Sequence, residues 1–165
     1  MSKTDQNLAD AFAGESQANR RYLAFAEKAD SEGYKQVGRL FRAAAAAETV
    51  HAHNHLRALK GIGATADNLK EAIGGETHEF MNMYPAMITD AKAEGAKEAL
   101  QSFEYANSVE QVHADLYKKA LESLAKDTAV QPYYVCPVCG YTVEGKAPER
   151  CPVCATKGEK FMTIE

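Results

Sequence analysis

The sequence has no tryptophan and few β-branched runs before its last stretch, and it is rich in Ala, Glu, Lys and Leu, a balance that favours helices over sheet. It has no basic run. With a formal net charge of −4, that removes the electrostatic case for nucleic acid. No apolar run is long enough to span a membrane, so no membrane partner is expected. Met1 to Asp10 carries Lys and Asp without an apolar core, which predicts no signal peptide and a cytoplasmic protein. No Gly-rich phosphate loop is evident, so NAD(P)H is not expected to bind this chain directly. Cysteine is missing everywhere except between Cys136 and Cys154, where four residues form two Cys-x-x-Cys pairs. Without a secretory signal, a metal site is the stronger reading of that tail and a disulfide framework the weaker.

Ahead of the tail, the pattern predicts four long helices: about Thr4 to Gly33, Lys35 to Lys60, Ala66 to Glu94 and Ala96 to Lys126. A Ser2-x-x-Asp5 capping pattern opens the first, Thr65 is the expected cap of the third, and Gly61 and Gly95 act as stops. The third must run through Gly74-Gly75, and Pro85 should kink it just beyond Glu76 and Glu79. Helices of this size make a bundle about 40 Å long. Asp127 to Pro132 reads as a linker, and Tyr133 to Val135 as a short strand leading into the cysteines. The expected organisation is all-α: a four-helix bundle over residues 1–130, followed by a small four-cysteine metal ribbon over 131–165.

The bundle's apolar stripes are interrupted by charge. In the second helix the stripe runs Val37, Phe41, Ala44, Glu48, His51, His55 and Leu59. In the fourth it runs Leu100, Phe103, Ala106 or Asn107, Glu110, His113, Tyr117 and Leu121. Glu and His three residues apart lie on one helix face and can reach one ion. Glu15 in the first helix and Glu79 in the third also stand at core positions, with Glu76 one turn before Glu79 as an extra candidate. Buried carboxylates without partners are costly, so a cation is expected among them. One Glu from each of two helices and Glu-x-x-His from each of the other two is a dinuclear carboxylate pattern. The assignment is Glu15, Glu48, His51, Glu79, Glu110 and His113; carboxylates with two imidazoles suit iron or manganese. His53 should be on the surface, His55 at the end of the core, and His78 turned away from the ligand face. Glu104 should be solvated. In the tail, Cys136, Cys139, Cys151 and Cys154 have the spacing of a tetrahedral four-sulfur site, which by geometry holds Zn²⁺ or a single iron.

Gly14-Glu15-Ser16-Gln17-Ala18, Glu48-x-x-His51, Gly75-Glu76-Thr77-His78-Glu79 with Met83-Tyr84-Pro85, Glu110-x-x-His113 and the Cys-Pro-x-Cys-Gly-Tyr tail together resemble rubrerythrins. The resemblance covers essentially the whole chain. It implies a ferritin-like domain with two non-haem irons, joined to a rubredoxin-like domain that holds one iron on four cysteine thiolates. It also implies a peroxidase that reduces hydrogen peroxide to water in oxidative-stress protection. Its electrons would come from NAD(P)H through a separate reductase or rubredoxin. Glu76 and His51 match residues that exchange as ligands of one iron with oxidation state. Tyr22 and Tyr84 match tyrosines that hydrogen-bond around the site. A ferroxidase that handles iron is the alternative, and the four-cysteine tail argues against it because such an oxidase needs no electron inlet.

One length bears on assembly. Ferritin-like bundles run their second and third helices parallel, yet the connector here is only Gly61 to Thr65, with a reach of about 20 Å. A helix-swapped homodimer is therefore expected.

Overall fold

The computed structural model describes residues 2–125 and 129–165, which separate into two compact units, Met1–Gly63 and Ala64–Glu165. The predicted end of the fourth helix at Lys126 and the start of the linker lie outside the described residues.

The first unit is a helical hairpin. Helix α1 covers Lys3–Ser31 and begins on the expected capping box: the Ser2 hydroxyl accepts from the Asp5 N–H, and the Asp5 carboxylate accepts from the Ser2 N–H. Gly33, at φ +87°, makes the turn into α2, Lys35–Ala58. Small residues set how closely the two helices approach. Ala26, Ala29, Gly38, Ala45 and Ala52 are buried in the seam. A methyl group on Gly38 would come within 2.5 Å of Asp30 Oδ1. Asp30 sits there to receive Arg42 at 2.7 Å. The Asn19 amide ties the seam further, donating to the Ala45 carbonyl at 2.7 Å and to Thr49 Oγ1 at 2.8 Å. Tyr22, Phe25 and Phe41 cluster at one end of the seam, with Phe25 and Phe41 edge to face. The left-handed residue that ends α2 is Lys60, at φ 57°, rather than Gly61, whose N–H closes on the Leu56 carbonyl.

The second unit opens with α3, Thr65–His78, which Ala64 caps by backbone alone. Thr65 is thus the first helical residue rather than the cap. The helix continues through Gly74 and Gly75 as expected. It then widens into a π-helical turn over Glu79–Met83 before α4, Tyr84–Glu94. Pro85 explains the widening. It has no N–H to give and its ring would strike the preceding turn of a regular helix. In the wider turn the Tyr84 N–H reaches back five residues to the Glu79 carbonyl, and Pro85 falls in the first turn of α4. Gly95, left-handed at φ +68°, ends α4, and α5 follows over Lys97–Ser123 with Val109 and Ala114 buried.

The tail is a three-stranded antiparallel sheet in the order β2-β1-β3: β1 is Tyr133–Val135, β2 Thr142–Glu144 and β3 Met162–Ile164. Cys136, Cys151 and Phe161 form its buried centre, with Tyr134, Tyr141 and Val143 packed around them. It lies against α5: the Gly140 backbone faces Val109, and Lys119 pairs with Glu144.

Candidate metal centres

Each Cys-x-x-Cys turn is built the same way. The Gly140 N–H donates to the Cys136 carbonyl and the Ala155 N–H to the Cys151 carbonyl, both at 2.9 Å. Gly140 and Ala155 are both left-handed, at φ +82° and 60°. The turns aim four thiols at one point. Sγ of Cys136 and Cys154 lie 3.5 Å apart, as do those of Cys139 and Cys151. Sulfurs around one ion at about 2.3 Å in a tetrahedron are about 3.8 Å from one another, so the group fits a single metal without rearrangement. The thiols differ in their hold on protons. Burial pushes Cys139 and Cys151 upward. Burial also acts on Cys154, but the Thr156 hydroxyl and N–H and the neighbouring thiols outweigh it and bring that thiol down to about 6. The cluster thus favours a thiolate at neutral pH, which a cation compensates.

In the hairpin, α1 presents Glu15 and α2 presents Glu48 and His51, with all three donor atoms within 4.8 Å of one another. His51 Nδ1 is 2.9 Å from Glu48 Oε2 and 3.9 Å from Glu15 Oε1. In the second unit, Glu76 from α3 meets Glu110 and His113 from α5 within the same 4.8 Å, and His113 Nδ1 is 2.7 Å from Glu110 Oε2. The two Glu-x-x-His motifs therefore use the same atoms in the same way. Ligands at about 2.1 Å from a shared ion are at most about 4.2 Å apart, so small movements suffice for coordination.

The charges call for a cation. Burial first, then the charge of Glu110 and a hydrogen bond shared with it, raise the Glu76 carboxyl to about 7. Two carboxylates sharing a proton are a place where a metal replaces the proton. Burial and the charges of Glu79, Glu110 and Glu76 also raise the Tyr84 phenol; burial and Glu76 and Glu110 raise Tyr117. Glu79, at the head of the π turn, lies outside the three-residue group although Glu76 and Tyr84 feel its charge.

The other expected residues are placed as follows. Tyr22 packs on Phe25 and Phe41, and Tyr84 on Phe103. His53 and His78 are placed differently from His55: His53 and His78 are exposed, while His55 is half-buried. Glu104 is exposed and pairs with Lys92. Sequence reasoning treated Tyr117 only as part of an apolar stripe, although its position one turn beyond His113 put it within reach of the carboxylates. Thr142, which meets His113, gave no signal in the sequence. Among the described residues, no helix is long and apolar enough to cross a membrane.

Comparison with known proteins agrees with this chemistry. The family model described as Rubrerythrin matches residues 6–121, and that of the rubrerythrin rubredoxin-like domain matches residues 134–162. Rubrerythrin-2 of Clostridium acetobutylicum is 40% identical over 95% of this chain and 94% of its own length. Nigerythrin of Nitratidesulfovibrio vulgaris is 35% identical over 98% of this chain and 86% of its own. The mixed-valent nigerythrin structure aligns over 99% of this chain and 88% of that one, with 33% identity and a TM-score of 0.60. The all-ferrous nigerythrin structure has 32% identity over the same shares and a TM-score of 0.61. The fold class is therefore ferritin-like helices followed by a rubredoxin-like four-cysteine ribbon, and the family's chemistry is that of an oxidoreductase with a di-iron carboxylate site. Carboxylate–imidazole groups on the helices, four converging thiols in the tail and relatives matched end to end all lead to one conclusion: the chain belongs to the rubrerythrin family.

Proposed function

We propose that this protein is a peroxidase that reduces hydrogen peroxide to water at a dinuclear iron site. Electrons would enter through an iron held by Cys136, Cys139, Cys151 and Cys154. The observation that carries the reading is the pairing, in one unit, of a thiol cluster with a Glu-x-x-His group, joined through Thr142 and His113. Reducing one peroxide to two waters consumes two electrons and two protons. The electrons must come from outside, from a separate NAD(P)H-linked reductase or a rubredoxin in the cytoplasm. A ferroxidase would draw electrons from Fe²⁺ itself and leave the ribbon without a task.

Glu15, Glu48, His51, Glu79, Glu110 and His113 are the proposed ligands, and the two irons, when bound, would supply the reducing electrons and open positions for peroxide. Glu76 and His51 would alternate as ligands with oxidation state. His51 suits this, because its side chain is 53% exposed against 27% for His113 and only its Nδ1 is engaged among the described residues. Tyr22 and Tyr84 would orient ligands through their hydroxyls, and the raised Tyr84 phenol keeps its proton at neutral pH. The proposed functional division is residues 1–130 for the di-iron domain and 131–165 for electron entry.

The site is proposed to form in a helix-swapped homodimer, the hairpin of one chain meeting the second unit of another. The connector from Ala58 to Thr65 holds six residues, a reach of about 20 Å. Helix α2 is about 36 Å long. Phe25, Val37, Leu40 and Val50 on the hairpin, and Met81, Met87 and Tyr117 on the second unit, are exposed apolar surface for a second copy to cover.

Two experiments test this reading. Glu76→Ala should still bind two metals yet turn over peroxide more slowly; steady-state activity equal to that of the parent protein would refute the exchange of ligands. Glu48→Ala and Glu110→Ala chains refolded together should regain activity through one intact site per mixed dimer. No recovery in a verified heterodimer would rule out swapping.

A further inference from the structure

We propose that Thr142 is a positioning residue that fixes the tautomer of His113 and couples the cysteine ribbon to that half of the metal site. The Thr142 hydroxyl has a single hydrogen and donates it to the Gly140 carbonyl at 2.9 Å. Toward His113, whose Nε2 is 2.9 Å away, the same oxygen must therefore accept. Nε2 carries a hydrogen, and Nδ1, facing Glu110 Oε2 at 2.7 Å, is the nitrogen left for an ion.

The anchor for this hydroxyl is the cysteine turn itself. Gly140 follows Cys139, its N–H donates to the Cys136 carbonyl, and its carbonyl takes the Thr142 proton. From Cys139 to the His113 ring the route is one peptide link and two hydrogen bonds. The strand is held in register by Val135, opposite Thr142, and pinned to α5 by the Lys119–Glu144 pair. Leu69, Leu116, Tyr117 and Tyr133 line a largely apolar cavity of about 340 Å³ beside the contact. An apolar surrounding strengthens a hydrogen bond by lowering the local dielectric. The hairpin has no counterpart: among the described residues His51 Nε2 has no partner. The structure thus holds one imidazole in place and leaves the other able to move.

The coupling half of the proposal rests on the peroxidase reading; the tautomer half does not. The test uses the full-length protein and its Thr142→Val, Thr142→Ala and Thr142→Ser variants. With zinc as a diamagnetic probe ion, ¹⁵N NMR should show His113 as the Nε2–H tautomer in the parent and in Thr142→Ser. In Thr142→Val and Thr142→Ala, exchange of that proton should be about tenfold faster or more. In iron-loaded protein mixed with peroxide, each ferrous tetrathiolate site gives up one electron and its ferric thiolate colour returns. That return should be slowed about tenfold in the Val and Ala variants and restored by Ser. An unchanged thiolate spectrum in each oxidised variant shows that the ribbon is intact. Parent-like proton exchange in both Val and Ala variants would overturn the proposal. If the parent shows the proton but no peroxide-driven colour return, the peroxidase reading fails while the tautomer assignment stands.

Discussion

Asn19 is the residue through which a single substitution should reach both the stability of the hairpin and the geometry of its ligands. It is buried, at 8% exposure, and its amide nitrogen makes two hydrogen bonds across the seam, to the Ala45 carbonyl and to Thr49 Oγ1. It lies one turn beyond Glu15, and Thr49 follows Glu48, so these bonds fix the register that sets Glu15 beside His51. Asn19→Ala removes both. Each is worth about 1 kcal/mol net. Ala45 still accepts from the Thr49 hydroxyl at 3.1 Å, so no bare carbonyl is left and the penalty does not climb further on that account. The small void adds a fraction of a kcal/mol, for a total of about 2–3 kcal/mol. At about 2–4 °C per kcal/mol for a chain of this size, the unfolding midpoint should fall by roughly 5–10 °C. Thr49→Val removes the Asn19–Thr49 and Thr49–Ala45 bonds but leaves Asn19 donating to the Ala45 carbonyl, and should cost about 1–2 kcal/mol. Urea and thermal unfolding of metal-free parent and variants measure both. A loss below about 0.5 kcal/mol for Asn19→Ala would refute the assignment of the seam to this amide.

A Cβ on Gly158 would sit 1.9 Å from the Pro148 carbonyl oxygen, so Gly158→Ala must displace backbone and should cost more than about 2 kcal/mol, whereas Gly145→Ala meets open space and loses only about 1–2 kcal/mol to its positive φ; thermal unfolding of the two variants ranks them, and equal losses would refute the close approach. The Arg42 guanidinium holds the Asp30 carboxyl below its usual range, so the folded chain binds fewer protons there than the unfolded chain. That contribution is fully present above the ordinary Asp range near pH 4 and is lost as pH falls through the lowered folded value, so Asp30→Asn should flatten the acid limb of stability against pH.

The chemistry was legible in the sequence because it is local. Three-residue spacing puts Glu48 with His51 and Glu110 with His113 on one helix face whatever surrounds them, and Cys-x-x-Cys is a single turn. Ser2 and Asp5 announce the first cap for the same reason. What escaped was set by the backbone or by distant pairing. Pro85 signalled a disturbance, but nothing in the residue pattern showed that it would be absorbed as a π turn at Glu79 that leaves Glu76 as the carboxylate grouped with Glu110. Thr142 lies 29 residues from His113. Threonine in a short strand is ordinary, and only the docking of the ribbon on α5 gives it a role. Asn19 was equally silent, since one polar residue in a long helix is unremarkable until its neighbour is known.

The most direct test of the central claim is a single turnover. Iron-loaded protein is reduced fully under argon, mixed with hydrogen peroxide or with oxygen, and followed by ferric-thiolate absorption. The red colour should return at a rate that rises with peroxide concentration and exceeds the rate with oxygen, with two electrons consumed per peroxide. A tetrathiolate site that stays ferrous while peroxide persists would contradict it.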